Sequence, residues 1–381
     1  MAGVALKAVE SKSDLNLFLK APHHCQGHDP NWVAPLNMMV RDQLNPKKNP
    51  WFSHGDAQFW VAMKDGKPVG RISAQVDHTH QELYQDKTGF FGFFETIDEP
   101  DVSSALFDAA GAWLKDQGMT RVRGPYSLNI NEETGLLIDG FRSRPRMMMG
   151  HAQPHYPEHV EAAGFEKAKD MVAFLTPQDT ALPHKQLRWL ERGLKRNPGL
   201  KMRHLDPKRF NEDIATIVHI FNAAWAENWG FIPLTEADIQ YMAAEMKLIL
   251  LPELVTLAFY DGEPAGFAIA LPDLNEIIHD LKGSIAGLNA IKLIWRLVTR
   301  RTFCAGTRVP LMGVMPEYQG KPVGSIIGLH TIGGIRESAL NLRMPICEMS
   351  WVLEDNSATI HSLSDIGGQI YKTYRVYEKA L

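Results

Sequence analysis

Cysteine is scarce in this chain. Three occur in 381 residues (Cys25, Cys304 and Cys347), an odd number without metal-ligand spacing. A disulfide framework is therefore not expected to hold the fold together, and a reducing cytoplasm is the expected setting. Long apolar runs are also missing. With no stretch of about 18 apolar residues, no segment is predicted to span a bilayer. The opening MAGVALKAVESKSDLNLFLK lacks the apolar core, about 7–15 residues long, of a signal peptide. Positive charge is not in excess: 40 Lys and Arg stand against 44 Asp and Glu, a net −4. That balance argues against nucleic acid as a partner. The 15 histidines contain no HExxH or similar spacing, so no metal is expected. What remains is a globular composition, 45% hydrophobic and 22% charged, long enough for two domains of about 150–200 residues.

A repeat organises the chain. Residues 61–74 read VAMKDGKPVGRISA and residues 257–270 read LAFYDGEPAGFAIA. Each is an apolar run, an Asp-Gly turn and a second run entered through Pro-x-Gly. Asp-Gly between alternating apolar runs signals a hairpin, because glycine accepts the positive φ of such turns. Two hairpins with matching flanks suggest a duplicated domain. The flanking order agrees. A strand and a helix precede each hairpin, and a strand, a long helix and closing strands follow. The expectation is an α/β fold with mixed sheets flanked by helices. The boundaries are residues 1–176, a linker and connecting helix at 177–196, and residues 197–381.

Residues 314–325, VMPEYQGKPVGS, carry the clearest chemistry. A strand ends, a glycine-containing loop follows, and a long helix begins near Val323. The N–H groups of such a loop and helix start lack intrahelical partners, and with the helix dipole they suit a pyrophosphate. Pro322 removes one of those donors. The junction in the first half, FFETIDEPDVSS, has no glycine and carries Glu95, Asp98, Glu99 and Asp101. Four carboxylates would repel a phosphate.

The segments NPWFSHGDAQFWVAMKDGKPVGRI, GPYSLNINEETGLLIDGF, HYPEHVEAAGFEKAKD, FNAAWAENWGFIPLT, LPDLNE, PLMGVMPEYQGKPVGS and EMSWVLEDN resemble a bacterial family of tandem GNAT-type (acetyltransferase-like) proteins that includes the bacterial ceramide synthases. The resemblance implies two tandem GNAT-like (acyl-CoA N-acyltransferase) domains, the second binding the donor. It implies an N-acyltransferase that uses acyl-coenzyme A as co-substrate, with no metal cofactor. A long acyl chain and a sphingoid-base amine are the expected pair. Acylation of a small molecule or an aminoacyl group is one alternative, and a non-catalytic lipid or acyl-thioester binding protein is another. Val314, Gln319, Gly320, Lys321, Val323, Gly324 and Ser325 match the coenzyme-A loop, apart from Pro322.

The same resemblance places Leu363 where the family has its acid tyrosine, which leaves Tyr374, Tyr377 or His361 as substitutes, or a thiolate that departs as the anion. Glu348, on the expected fifth strand, is the candidate base, against the plainer reading of a salt bridge to Arg343 or Arg375. Tyr377 and Asn228 complete the catalytic set. Trp225 and Trp229 share a helix face, where a core or lipid-lining stripe competes with an acceptor site. Asn275, His155 and Tyr156 are further substrate-side candidates, and Asn129, Asn131, Glu132, Glu133 and His151 would line the acceptor side.

Residues 276–307 form an insertion. Within it LNAIKLIWRLVTRR, 288–301, puts Leu288, Ile291, Ile294, Trp295 and Val298 on one helical face, and Lys292, Arg296 and Arg300 on a basic stripe. That pattern fits peripheral contact with an anionic inner-membrane surface. Packing between domains is the competing explanation.

Overall fold

The computed structural model describes residues 3–179, 183–246, 249–299 and 303–381, with Glu245 described by its backbone alone. The chain divides into two compact units. Unit 1 comprises the residues up to Val172 with Ile278–Ile291 and Lys372–Leu381, and unit 2 comprises Ala173–Ile277 with Lys292–Tyr371.

In unit 1, β1 (Ala5–Ala8), β2 (Gly55–Lys64), β3 (Lys67–Asp77), β4 (Thr88–Thr96) and β5 (Arg121–Gly124) lie side by side in that order. The first four are antiparallel and β4–β5 is parallel. A short β6 (Leu136–Asp139) follows, and the chain leaves unit 1 within β7 (Glu166–Pro177). Helix Lys12–Cys25 begins at a capping box in which Ser11 and Asp14 satisfy each other's N–H groups. Its Phe18 lies under the Arg71 guanidinium, 4.9 Å away. Helix Pro100–Asp116 takes the other face, since a Cβ on the adjacent Gly70 would stand 2.9 Å from Leu106.

Unit 2 repeats the plan with β8 (Leu200–His204), β9 (Val255–Tyr260), β10 (Glu263–Pro272), β11 (Gly306–Val314) and β12 (Ile346–Leu353), in the order β12-β11-β10-β9-β8. Helix Phe210–Trp225 and helix Pro322–Asn341 pack on this sheet. A Cβ on Gly313 would meet Ile220 and Ala224 of the first, and one on Gly266 would meet Ile327 of the second. The last strand, β13 (Gln369–Ala380), runs from unit 2 back into unit 1, where it pairs with β5 and β6. Residues 372–381, assigned from the sequence to the second copy, thus complete the first sheet.

The two hairpins explain the repeat. Asp65 and Gly66 have φ of 49° and 73°, and Asp261 and Gly262 have 50° and 93°, the doubly left-handed turn that Asp-Gly favours. Both second strands carry an irregularity just after the proline, between Pro264 and Gly266 in β10 and opposite Ala62/Met63 in β3. Gly70 and Gly266 then sit where the long helix crosses, with Leu106 and Ile327 too close for a side chain.

The connecting helix, His184–Arg196, has no buried residue, and a Cβ on its Gly193 would meet Ile326. Residues 180–182 of the expected linker lie outside the described residues. The helix expected from Pro207 opens with a 3-10 turn at Pro207–Arg209, and the next is described over Glu236–Met246, residues 247 and 248 lying outside. Helices Asn37–Gln43, His78–Tyr84 and Leu274–Ile278, and β6, were not anticipated from periodicity. All are seven residues or shorter, below the window in which a period can be read.

Candidate active site

β11 and β12 are parallel neighbours that share four rungs, from Gly306↔Ile346 to Val309↔Met349. Both strands then continue, to Val314 and Leu353, without further rungs among the described residues. Pro310, the first residue past the last rung, has no N–H to give. The parting is roofed by aromatics. Trp225, ending its helix, donates its indole N–H to the Met312 carbonyl at 2.8 Å. Its ring meets Trp351 of β12 edge-on, centroids 5.8 Å apart. Trp225 thereby satisfies a carbonyl that strand pairing leaves open.

The 314–325 loop starts at this parting. A 3-10 turn at Pro316–Tyr318 leads to Gly320 at φ 69°, to an extended Lys321, and to helix Pro322–Asn341 with proline in its first turn. Proline is favoured there because that N–H has no intrahelical partner. The Lys321 N–H reaches Tyr318 O at 3.2 Å, and the N–H groups of Gly324 and Ser325 reach Lys321 O at 3.0 and 3.5 Å. Among the described residues, the N–H groups of Gly320 and Val323 meet no such acceptor. Two N–H groups and the helix dipole therefore face outward, fewer than the sequence promised. The Gln319 amide is spent on the loop itself, donating to Val314 O at 2.8 Å and Ala224 O at 3.3 Å. Gly324 is required for a reason other than a ligand: a Cβ there would stand 2.2 Å from Tyr318 O.

Glu348 is fully buried on β12. Its partner is neither Arg343 nor Arg375 but Arg308, directly across the ladder, with Nε 3.6 Å from Oε1. Ser350 Oγ donates to Oε1 at 2.5 Å, Arg308 Nε donates to Ser350 Oγ at 2.8 Å, and the Tyr371 hydroxyl donates to Oε2. Both carboxylate oxygens are engaged, so Glu348 reaches the slot only through its partners. Tyr371 is half-buried. Sequence reasoning missed Arg308, Ser350 and Tyr371. Period-two alternation could have put Ser350 beside Glu348; nothing local signals the other two.

The remaining candidates divide between the units. Asn228 shapes the turn after helix Phe210–Trp225, its N–H on Trp225 O at 2.8 Å and its carbonyl accepting from Phe231 at 3.1 Å. Trp229 and Asn275 are half-buried in unit 2. Tyr377 lies in unit 1, where it pairs with Gly124 and its hydroxyl donates to Glu161 at 3.0 Å. Tyr374 is also in unit 1 and buried, His361 holds its own helix at Ser357 O, and Leu363 is buried. His155 and Tyr156 belong to unit 1 as well, bonded to Thr96 O at 3.2 Å and Glu95 at 2.8 Å. The structure therefore gathers Trp225, Gln319, the 320–325 loop and Trp351 at the parting, with Glu348 at its foot. It leaves Tyr377, His155 and Tyr156 in the other unit.

In unit 1 the equivalent parting is filled. Beyond three rungs between β4 and β5, Tyr126 N–H bonds Phe91 O at 2.7 Å, and the Gln75 amide bonds Tyr126 O at 2.7 Å. Glu95 is buried inside unit 1 rather than facing a phosphate, which corrects the count of repelling carboxylates.

Helix Leu288–Val298 turns its apolar face outward. Leu288, Ile291, Ile294, Trp295 and Val298 are 82, 66, 63, 55 and 78% exposed. Its basic stripe is not as expected. Arg296 is buried, donating to Ile277 O at 2.6 Å with its guanidinium 5.7 Å from the Phe303 ring. Lys292 is half-buried, and Arg300 lies outside the described residues. Among the described residues no helix is long and apolar enough to cross a membrane, and no group of three or more His, Cys, Asp or Glu is arranged to hold a metal.

No family model matches the chain. It is 39% identical over 381 residues to the bacterial ceramide synthase of Caulobacter vibrioides (strain NA1000 / CB15N), spanning 100% of this chain and 98% of that protein. It is 40% identical over 383 residues to protein YghO of Escherichia coli (strain K12), covering 97% and 94% respectively. Among solved structures it is similar to a tandem GNAT protein from the clavulanic acid biosynthesis pathway, with a TM-score of 0.57 at 12% identity over 99% of this chain and 98% of the other. A GCN5-related N-acetyltransferase from Sphaerobacter thermophilus gives 0.52 at 11% identity over 99% and 95%. At these identities the solved structures speak to fold alone: two GNAT domains in tandem.

Proposed function

The chain belongs to the bacterial ceramide synthase family and is an N-acyltransferase of tandem GNAT fold, and from that premise we propose that it moves a long acyl chain from coenzyme A to the amine of a sphingoid base. The donor reading is carried by one observation, the parting of β11 from β12 beside the outward N–H groups of Gly320 and Val323. The pyrophosphate sits at the start of helix Pro322–Asn341, and the thioester lies in the parting under Trp225 and Trp351. The acceptor reading rests on the name of the Caulobacter relative.

Attack by the neutral amine on the thioester carbonyl forms the C–N bond and breaks the C–S bond. The amine nitrogen loses a proton and the departing sulfur gains one. Tyr371 gives its proton to the departing sulfur, and the phenolate so formed takes up the proton lost by the amine; the hydroxyl is held in place by Glu348, which pairs with Arg308. Leu363 stands where the resemblance expected a tyrosine, and Tyr371 takes over that role. The exposed apolar face of Leu288–Val298 rests on the membrane that holds the lipid acceptor. Purified protein incubated with palmitoyl-coenzyme A, a sphingoid base and a panel of small amines tests this reading by mass spectrometry. The N-acylated sphingoid base is the expected product; acylation of small amines alone would replace it with the small-molecule alternative.

A further inference from the structure

Unit 1 holds a second polar centre, unrelated to the thioester loop. Glu95 of β4 is 8% exposed. It accepts from the Gln26 amide at 2.5 Å and the Tyr156 hydroxyl at 2.8 Å, and stands 3.5 Å from Arg71 Nη2. Burial pushes its carboxyl above the usual range, against the pull of Arg71. Glu133, in the loop between β5 and β6, is coupled to the same pair. Burial, with a contribution from Glu95, brings its carboxyl up to about 7. Glu133 is itself exposed to solvent, and among the described residues its carboxylate has no hydrogen-bond or ion-pair partner. An unpaired carboxylate exposed to water beside this buried pair marks the rim of a recess.

Two buried side chains beside it are also short of partners. Gln26 is 1% exposed and its Oε1 accepts nothing, and Arg71 is 7% exposed with Nε unbonded. The loop at 150–151 joins these groups. A Cβ on Gly150 would stand 3.1 Å from Glu133 Oε1, and His151 O accepts from Gln26 Nε2 at 3.4 Å. Two carboxylates against one guanidinium leave one negative charge, and Gln26 adds a neutral acceptor. An alkylammonium brings one positive charge and three N–H donors, matching both counts.

We propose that this recess in unit 1 binds a protonated primary amine, with Glu133, Glu95 and Gln26 Oε1 as its three acceptors. The choice of an amine over another cation rests on the transferase reading above; the recess itself does not. The groups facing Glu133 are Glu95 from β4 and Arg71 from β3, with Tyr156 of helix His155–Ala162 and Cys25 near Glu95, and the His151–Asp29 pair on the neighbouring loop.

Calorimetry on the full chain tests it, with n-octylamine and the uncharged n-octanol as probes. At pH 8 the amine should bind at least tenfold more tightly than the alcohol. Glu133→Gln should remove that advantage while leaving octanol and coenzyme A binding unchanged, and Glu133→Asp should restore part of it. The amine stays protonated between pH 6 and 8, whereas a carboxyl titrating near 7 goes from about one-tenth to nine-tenths ionised. Affinity should therefore rise about tenfold over that range in the wild type and stay flat in Glu133→Gln. Equal amine binding by wild type and Glu133→Gln, or octanol binding as tightly as octylamine, would overturn the proposal. If no acyl transfer to any amine occurs yet Glu133-dependent amine binding persists, the transferase reading fails and the recess stands.

Discussion

In the proposed transfer Glu348 acts through Tyr371, because burial leaves the carboxylate no other route to substrate. Its oxygens are taken by Ser350, Arg308 and the tyrosine. Removing the phenol in Tyr371→Phe should lower kcat about a hundredfold, in the range of general acid catalysis, with KM for the acyl donor unchanged. Steady-state kinetics on long-chain acyl-coenzyme A would read this, and a wild-type kcat in Tyr371→Phe would discard the role. Pro322 offers the opposite test. Its replacement by glycine restores an N–H at the helix start, and a hydrogen bond to a charged group contributes about 1.5–3 kcal/mol. Pro322→Gly should bind coenzyme A roughly tenfold more tightly by calorimetry, and unchanged affinity would mean that no phosphate sits there. Gly324 does not serve as a clean probe of donor binding. Even alanine would press on Tyr318 O and cost about 1–3 kcal/mol of stability.

At the scale of the element, helix Leu288–Val298 separates two roles by face. Its outward residues are apolar, and its inward Arg296 satisfies Ile277 O. Reversing the charge of Arg296 would strand a carbonyl and bury a carboxylate, so loss of membrane binding in such a variant would be uninformative. Replacing Leu288, Ile291, Ile294 and Val298 with serine leaves that anchor untouched. The variant should melt like wild type, fail to sediment with liposomes, and acylate a bilayer-held amine poorly while retaining turnover on a soluble one. Equal sedimentation of the two proteins would exclude this face as the membrane contact.

The whole molecule is less divisible than two tandem domains suggest, because residues 372–381 complete the first sheet. Tyr374, Val376 and Tyr377 are fully buried there. Each large apolar side chain removed from a core costs about 1.5–3 kcal/mol, so losing three takes much of a typical stability of about 5–15 kcal/mol. A chain ending at Tyr371 should lose the native structure of unit 1, seen as rapid proteolysis within residues 1–172. Wild-type melting of that truncation would show the strand to be dispensable. For the same reason, residues 1–176 expressed alone should not fold stably.

The paired hairpins, the glycine loop before the long helix and the apolar stripe at 288–298 were all legible in the sequence. Each depends on local chemistry: positive φ at Asp-Gly, a glycine turn leading into a proline-started helix, and a 3.6-residue period. The partners of charged and polar side chains were not. Glu348 finds Arg308 and Tyr371, Glu95 finds Gln26 and Tyr156, and Arg296 turns inward to Ile277 O. These pairings follow from strand order and from which distant carbonyl or carboxylate a fold brings within about 3 Å. Local periodicity carries no record of that, so only the tertiary structure could decide it.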